Sequence, residues 1–182
     1  MIVVMTFVAG FLSGVAFSAY KLGGFGAPEA SKAASGTNSK MAQALETEVA
    51  DNPRNTNAWV QLGNVYFDTD QNQKAADAYT KALALNPQNT DVLTALGILY
   101  QRMGQAHQAL QSFEKAVAVD PKNERARFNK GFVLLNDLKD RDGAIRTWKE
   151  LLEINPLAVT GDNQSVDQLI KHYTEHETGN AK

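Results

Sequence analysis

The sequence predicts an all-α fold in which three helical hairpins stack into a solenoid, with one further helix on each side and a membrane-spanning helix in front. Three observations carry that reading. A pattern of large, small and helix-ending residues recurs at a period of 34; the second helix of each copy stops at Asn-Pro or Asp-Pro; and the chain opens on nineteen uncharged residues, Ile2 to Tyr20.

Taken in order, residues 1–21 read as a transmembrane anchor. At 1.5 Å per residue the apolar run spans about 29 Å, close to the thickness of a bilayer core. The rival is a cleaved secretory signal ending near Ala16-Phe17-Ser18, although the run is long for one and no basic residue precedes it. Thr6, Gly10, Gly14 and Ser18 recur every four residues and form a small-residue face suited to close packing against another membrane helix. Residues 22–38 are rich in Gly, Ala and Ser and read as a flexible linker, with an end-to-end distance of about 25 Å.

The folded domain is expected over 39–176. A cap helix over 39–51 presents Leu45 and Val49 and stops at Asn52-Pro53, already in register with the first repeat. That repeat, 56–89, carries Trp59, Leu62, Gly63 and Tyr66, then Ala75, Tyr79 and Ala82, then Pro87. The second, 90–123, repeats them as Leu93, Leu96, Gly97, Tyr100, Ala109, Phe113, Ala116 and Pro121. The third, 124–158, keeps the 34 step in its first helix with Gly131 and Leu134. It shifts to 35 in its second, with Ala144, Trp148, Leu151 and Pro156, so one residue has entered the turn between them. A C-terminal helix over 165–175, N-capped by Ser165, presents Val166, Leu169, Ile170 and Tyr173. Residues 177–182 form a polar tail that is expected to fray.

The residue types follow from the packing. A single hairpin cannot bury its apolar side alone, so copies stack. Gly63, Gly97 and Gly131 face Ala75, Ala109 and Ala144 where two helices approach closely, and Tyr79, Phe113 and Trp148 are expected to fill the space between repeats. The residue before proline leaves the helical region, which ends each second helix. Arg127 and Lys130 replace large apolar residues in the third copy, so its interface is expected to be less well packed.

This register resembles the tetratricopeptide repeat, whose pattern is W-x2-L-G-x2-Y, A-x3-F and a terminal P at 34 residues. The resemblance implies a right-handed solenoid whose first helices line a concave groove. That groove would present Asn57, Val60, Asn64 and Phe67 from repeat one, Asp91, Thr94, Ile98 and Gln101 from repeat two, and Arg125, Phe128, Phe132 and Leu135 from repeat three. Family members that grip a C-terminal carboxylate use lysines, arginines and asparagines at set positions, and of these only Asn64 fits. The better ligand is an amphipathic helix or extended segment with apolar anchors near Phe128 and Phe132; alternatively those phenylalanines pack beneath the closing helix.

No chemistry is encoded that would make the chain an enzyme. It has no cysteine, which removes thiol catalysis, disulfides and cysteine-ligated metals. With 18 basic against 20 acidic residues, net charge −2, it lacks the basic surplus of a nucleic-acid binder. His172 and His176 have metal-ligand spacing but form no H-E-x-x-H, and His107 stands alone in a turn. Gly23-Gly24-Phe25-Gly26 follows no strand and precedes no phosphate-binding helix. Asp68, Asp70, Asp137, Asp140 and Asp142 fall on outer faces and turns, where solvated charge is expected. No cofactor or metal is expected, and the expected partner is a protein or peptide.

A narrower resemblance covers residues 41 to 173. Leu45-x-x-x-Val49 with Asn52-Pro53, the Trp59 repeat, and Ala144-Ile145-x-x-Trp148-x-x-Leu151-Leu152 followed by Gln168-Leu169-Ile170 are similar to the periplasmic solenoids of bacterial cytochrome c maturation, which belong to the haem lyase assembly. This implies a single-pass inner-membrane scaffold or assembly factor that holds a client in its groove on the periplasmic side. A permanent accessory subunit of a membrane complex is the alternative. Lys21, Lys32 and Lys40 follow the apolar run, so the positive-inside rule taken literally puts the solenoid in the cytoplasm instead.

Overall fold

The computed structural model describes residues 28–161 and 163–175. Among them the chain forms α1 (Pro28–Asp51), α2 (Thr56–Asp68), α3 (Asn72–Leu85), α4 (Thr90–Arg102), α5 (Ala106–Val119), α6 (Glu124–Asn136), α7 (Arg141–Ile154) and α8 (Val166–Glu175), with no strand beyond one isolated bridge. The expected anchor over 1–21, with Thr6, Gly10, Gly14 and Ser18, lies outside the described residues, as do His176 and the tail. Among the described residues no helix is long and apolar enough to cross a membrane.

The helices pair as α2 with α3, α4 with α5 and α6 with α7, and each hairpin packs on the next in chain order. Their starts are fixed by side chains that accept the N–H groups a first helical turn leaves unpaired. Asn55 accepts from Ala58, Asn89 from Val92 and Asn123 from Ala126, at 3.1, 3.1 and 2.9 Å, so the Asn of repeat one recurs at the same 34 step. Asp140 does this for α7, accepting from Gly143 at 2.8 Å. The ends follow from the prolines: Asn86, Asp120 and Asn155 leave the helix at ψ 86, 96 and 96°, as a residue before proline must. Within each hairpin the turn passes through a positive φ at Asp70, Gly104 and Lys139, of 55, 72 and 59°. These three are 34 and then 35 apart, which places the inserted residue before Lys139.

Ala75, Ala109 and Ala144 are buried, as are Tyr79, Phe113 and Trp148. The aromatic rings were expected between repeats, but each lies on the glycine of its own hairpin. A Cβ built on Gly63 would fall on the Tyr79 ring, on Gly97 against Phe113, and on Gly131 against Trp148. The missing side chain is thus the seat of the ring, and the glycine and the aromatic form one packing unit.

The structure departs from expectation at three further places. Residues 28–38, read as linker, begin α1 instead of lying before it. Pro28 at the first helical position has its φ preset and no N–H to satisfy, and Ala30, Lys32, Ala33 and Ala34 are strong helix formers that outweigh Gly36. Ser165 closes an antiparallel bridge with Val159, and α8 starts at Val166. Arg127 does not loosen the third repeat: it is only 9% exposed, its Nη1 lies 2.6 Å from Glu150 and its Nη2 donates to the Pro121 carbonyl at 2.6 Å. Lys130 reaches Glu114 at 3.4 Å. The large apolar side chain of the earlier copies is replaced by ion pairs between neighbouring helices.

Candidate client-binding groove

The first helices of the three hairpins, α2, α4 and α6, carry the expected groove residues, and the structure divides them between two cavities of opposite character. The first, of about 410 Å³, is a polar cleft formed by Val60, Asn64, Phe67, Asp91 and Arg125 together with Asp68, Tyr79 and Asn89. Its floor is organised by Tyr79, whose hydroxyl donates to Asn64 Oδ1 at 2.6 Å. Burial pushes the Tyr79 phenol up to about 12; the Asp68 carboxylate adds to this, and the Arg125 guanidinium opposes it. One cation therefore shares the cleft with two carboxylates. At the rim the Arg102 guanidinium lies 4.1 Å from the centre of the Phe67 ring, which ties that aromatic to the end of α4.

The second cavity, of about 350 Å³, is apolar and lies between α6, α8 and the loop joining α7 to α8. Phe128, Phe132 and Leu135 form one wall, and Leu169 and Tyr173 of α8 form the other. Phe128 stacks on Trp148 with ring centroids 6.2 Å apart, and Trp148 lies 6.3 Å from the Tyr173 ring, so α8 seals the end of the core. The Trp148 indole donates to the Phe128 carbonyl at 3.1 Å, fixing both rings. Both sequence alternatives are realised, by different residues: Phe128 packs beneath the closing structure, while Phe132 stays 42% exposed on the cavity wall.

The remaining expected residues stand apart from both cavities. Asn57 is exposed outside the polar cleft. Thr94 is 1% exposed, its hydroxyl bonded to the Thr90 carbonyl at 2.7 Å, so it offers no surface to a client. Its hydroxyl also accepts from Asn123 Nδ2 at 3.4 Å, so the side chain faces the cap of α6. Ile98 packs into the core between repeats two and three, and Gln101 donates to Asp137 at 3.0 Å, bridging α4 to the end of α6. Sequence reasoning missed Asp68 and Tyr79 in the polar cleft and Trp148, Leu169 and Tyr173 in the apolar one. The 34-residue register marked Tyr79 and Trp148 as a pair, but the register alone does not say that each ring edge reaches the groove.

On the outer side, a third cleft of about 340 Å³ lies between α1 and α3, formed by Val49, Trp59, Leu62, Tyr66 and Ala78 and edged by Lys74 and Lys81. Among the described residues no group of three or more His, Asp or Glu side chains could hold a metal ion. His172 sits edge-on to Tyr173 at 5.0 Å, and His107 is exposed.

Comparison with known proteins agrees with this architecture. A crystal structure of MamA superimposes with a TM-score of 0.63 at 28% identity, over 65% of this chain and 64% of that one; the alignment thus spans under two thirds of the MamA chain. A tetratricopeptide repeat protein from Parabacteroides merdae matches with a TM-score of 0.69 at 21% identity, over 83% of this chain and 57% of that one. The first TPR of Spaghetti (RPAP3), bound to the HSP90 peptide SRMEEVD, matches with a TM-score of 0.59 at 21% identity, over 68% of this chain and 93% of that one. No curated protein matches the chain. Residues 28–157 match the cytochrome c-type biogenesis protein H TPR domain, a span that runs from the first residue of α1 to the end of the third repeat, and the chain belongs to that family.

Proposed function

We propose that this domain is a scaffold, not a catalyst, that holds a protein client for cytochrome c biogenesis, attached to the bacterial inner membrane through Ile2–Tyr20 and working on the periplasmic side. The carrying observation is the apolar cavity between α6 and α8, where Phe132 remains exposed beside Leu135 and Tyr173. A rigid apolar cavity with polar surroundings suits one large anchoring side chain of a client helix or extended segment. Family membership supports the biogenesis role, and the uncharged run in the sequence supports the anchor.

The polar cleft argues against a carboxylate clamp of the kind suggested by the HSP90 peptide on the related fold. Arg125 lies near Asn64, but Asp68 and Asp91 share the cleft and offset its charge. A C-terminal carboxylate would meet two like charges there.

The test is co-purification from membranes with the full-length protein in detergent. Phe132→Ala is expected to weaken client retention roughly tenfold or more with the helical circular dichroism unchanged. Wild-type retention by Phe132→Ala, together with loss on substituting Gly10 and Gly14, would contradict the groove and favour a permanent subunit held through its membrane helix. Protease added to intact spheroplasts is expected to degrade the domain; protection until the membrane is permeabilised would contradict the periplasmic placement.

A further inference from the structure

Three charges in the polar cleft are not used by the fold. Asp68 closes α2, where the carbonyl groups of the last turn already carry partial negative charge and a carboxylate is unfavourable. The same repeat position holds Arg102 at the end of α4 and Asn136 at the end of α6, so the acid is particular to repeat one. Arg125 stands the other way round, a cation in the first turn of α6. Asp68, Asp91 and Arg125 all line the cleft, and none of their side chains makes a hydrogen bond or an ion pair among the described residues. Arg102 at the rim is already met, by Asp70 at 3.5 Å and by the Phe67 ring. Val60, Phe67, Val92 and Ala95 supply the apolar part of the lining.

We propose, on the basis of the groove's client-binding role, that the polar cleft receives a lysine or arginine side chain of the same client helix whose apolar anchor enters the cavity beside Phe132. A long cationic side chain suits such a cleft, with its methylene stem against Val60, Phe67 and Ala95 and its charge at Asp68 and Asp91. Bound there, the cation also offsets the carboxylate at the end of α2. Two carboxylates against one guanidinium leave the cleft net negative, so a cation is preferred to an anion in spite of Arg125. The two cavities are joined by α6: Arg125 lines the first, and Phe132, about 10 Å further along the helix, lines the second. Asp68 and Asp91 belong to the earlier helices α2 and α4, so the cation and the anchor of a client helix stand at least about two turns apart on one face.

The test is fluorescence anisotropy with the full-length protein in detergent and a labelled synthetic helix of alanine and glutamine, carrying one central phenylalanine and a lysine about two and three turns to either side. Saturable binding is expected, weakened about threefold or more when the lysines are replaced by glutamine and further when they are replaced by glutamate. Asp68→Asn and Asp91→Asn are each expected to reduce the preference for lysine over glutamate, and Arg125→Gln to increase it. Phe132→Ala is expected to weaken all three peptides alike. Equal affinities for the three peptides, with the Phe132→Ala loss intact, would overturn the cation site and leave the groove standing. No saturable binding of any of them would overturn both. A preference for glutamate that Arg125→Gln abolishes would overturn the proposal in favour of an anion site. Without peptide, Asp68→Asn is expected to leave the thermal midpoint unchanged or slightly raised; a clear fall would show that Asp68 serves the fold and would count against a site built for a cation.

Discussion

Repeat one places Trp59 and Leu62 against an apolar outer cleft and Asn64 with Asp68 in a polar inner one; repeat three, in the same register, places Arg127 and Lys130 outside and Phe128 and Phe132 within. The helix pairing is common to both, because it depends on the glycine, the alanine and the aromatic ring, which all three copies keep. The surfaces are set by other positions of the same helices, which are free to exchange polarity. Apolar surface therefore lies outside at the N-terminal end and inside at the C-terminal end. The scaffold and the specificity reside in separate residue sets, and each can be tested without the other.

The largest contrast should come from the two tryptophans. Trp148 is fully buried and stacked on Phe128, whereas Trp59 is half-buried with its indole on the Pro53 carbonyl at 2.9 Å. Trp148→Ala is expected to cost about 3–5 kcal/mol in urea unfolding, and Trp59→Ala under about half of that. Equal losses would show that the outer cleft of repeat one is as much a part of the core as the centre of repeat three.

Next in size is the glycine seat. Gly131→Ala drives a methyl into the Trp148 ring, which is packed between Phe128 and Tyr173 of α8, and is expected to cost about 1–3 kcal/mol. Gly63→Ala meets the Tyr79 ring, whose hydroxyl end borders the polar cleft and is held by a single hydrogen bond to Asn64, so its cost should fall at the low end of that range. The reverse order in thermal or urea unfolding would contradict the packing unit as described.

The ionic outer face of repeat three should be replaceable but not removable. Arg127→Met, of similar length and at a position filled by Leu93 in the preceding copy, is expected to be neutral or mildly stabilising, because an apolar side chain avoids the desolvation of the guanidinium and of its unbonded Nε. Arg127→Ala is expected to lose about 1–3 kcal/mol, since the Pro121 carbonyl and the surrounding space are left unfilled. A stabilising Arg127→Ala would mean that the ion pair is a net burden to the fold.

The last effect is felt only at alkaline pH and is carried by two tyrosines of repeat one. Tyr66 and Tyr79 are both pushed up to about 12 from an ordinary value of 10.0, in each case by burial first, then by Glu46 for Tyr66 and by Asp68 for Tyr79. The unfolded chain releases these protons near pH 10 and the fold retains them to about 12. The associated stability is thus complete below pH 10 and is lost as pH rises to 12. Tyr79→Phe is expected to flatten the fall in stability between pH 10 and 12; an unchanged slope would show that Tyr79 titrates as it does in the unfolded chain.

The helical register was legible because it rests on residues that do one thing. Gly97 marks a close approach of two helices and Asp120-Pro121 ends a helix, so spacing alone located them, although only the structure shows that the approach seats the Phe113 ring. The asparagine caps at 55, 89 and 123 are equally regular in sequence, but they sit between the large residues that define the repeat and carry no apolar signal of their own. The surfaces were harder to read. Thr94 occupies the same repeat position as Val60 and Phe128, yet it is buried, its hydroxyl bonded to the Thr90 carbonyl and covered by Asn123, the cap of α6. The fate of Phe128 and Phe132, four residues apart on one helix, is decided by α8 and Trp148, which lie far along the chain. Residues 28–38 misled in the other direction: Gly36 and the serines suggested a linker, while the proline start and the alanines favour helix.

The most direct measurement of the central claim is site-specific photocrosslinking in cells, with p-benzoylphenylalanine placed in the full-length protein at position 132 or, as the outer-side counterpart, at position 59. A client crosslink is expected from position 132 that Leu135→Asp suppresses, and none to the same client from position 59. A client captured from position 59 and not from position 132 would contradict it, placing the functional surface in the apolar outer cleft of repeat one instead of the apolar inner cavity of repeat three.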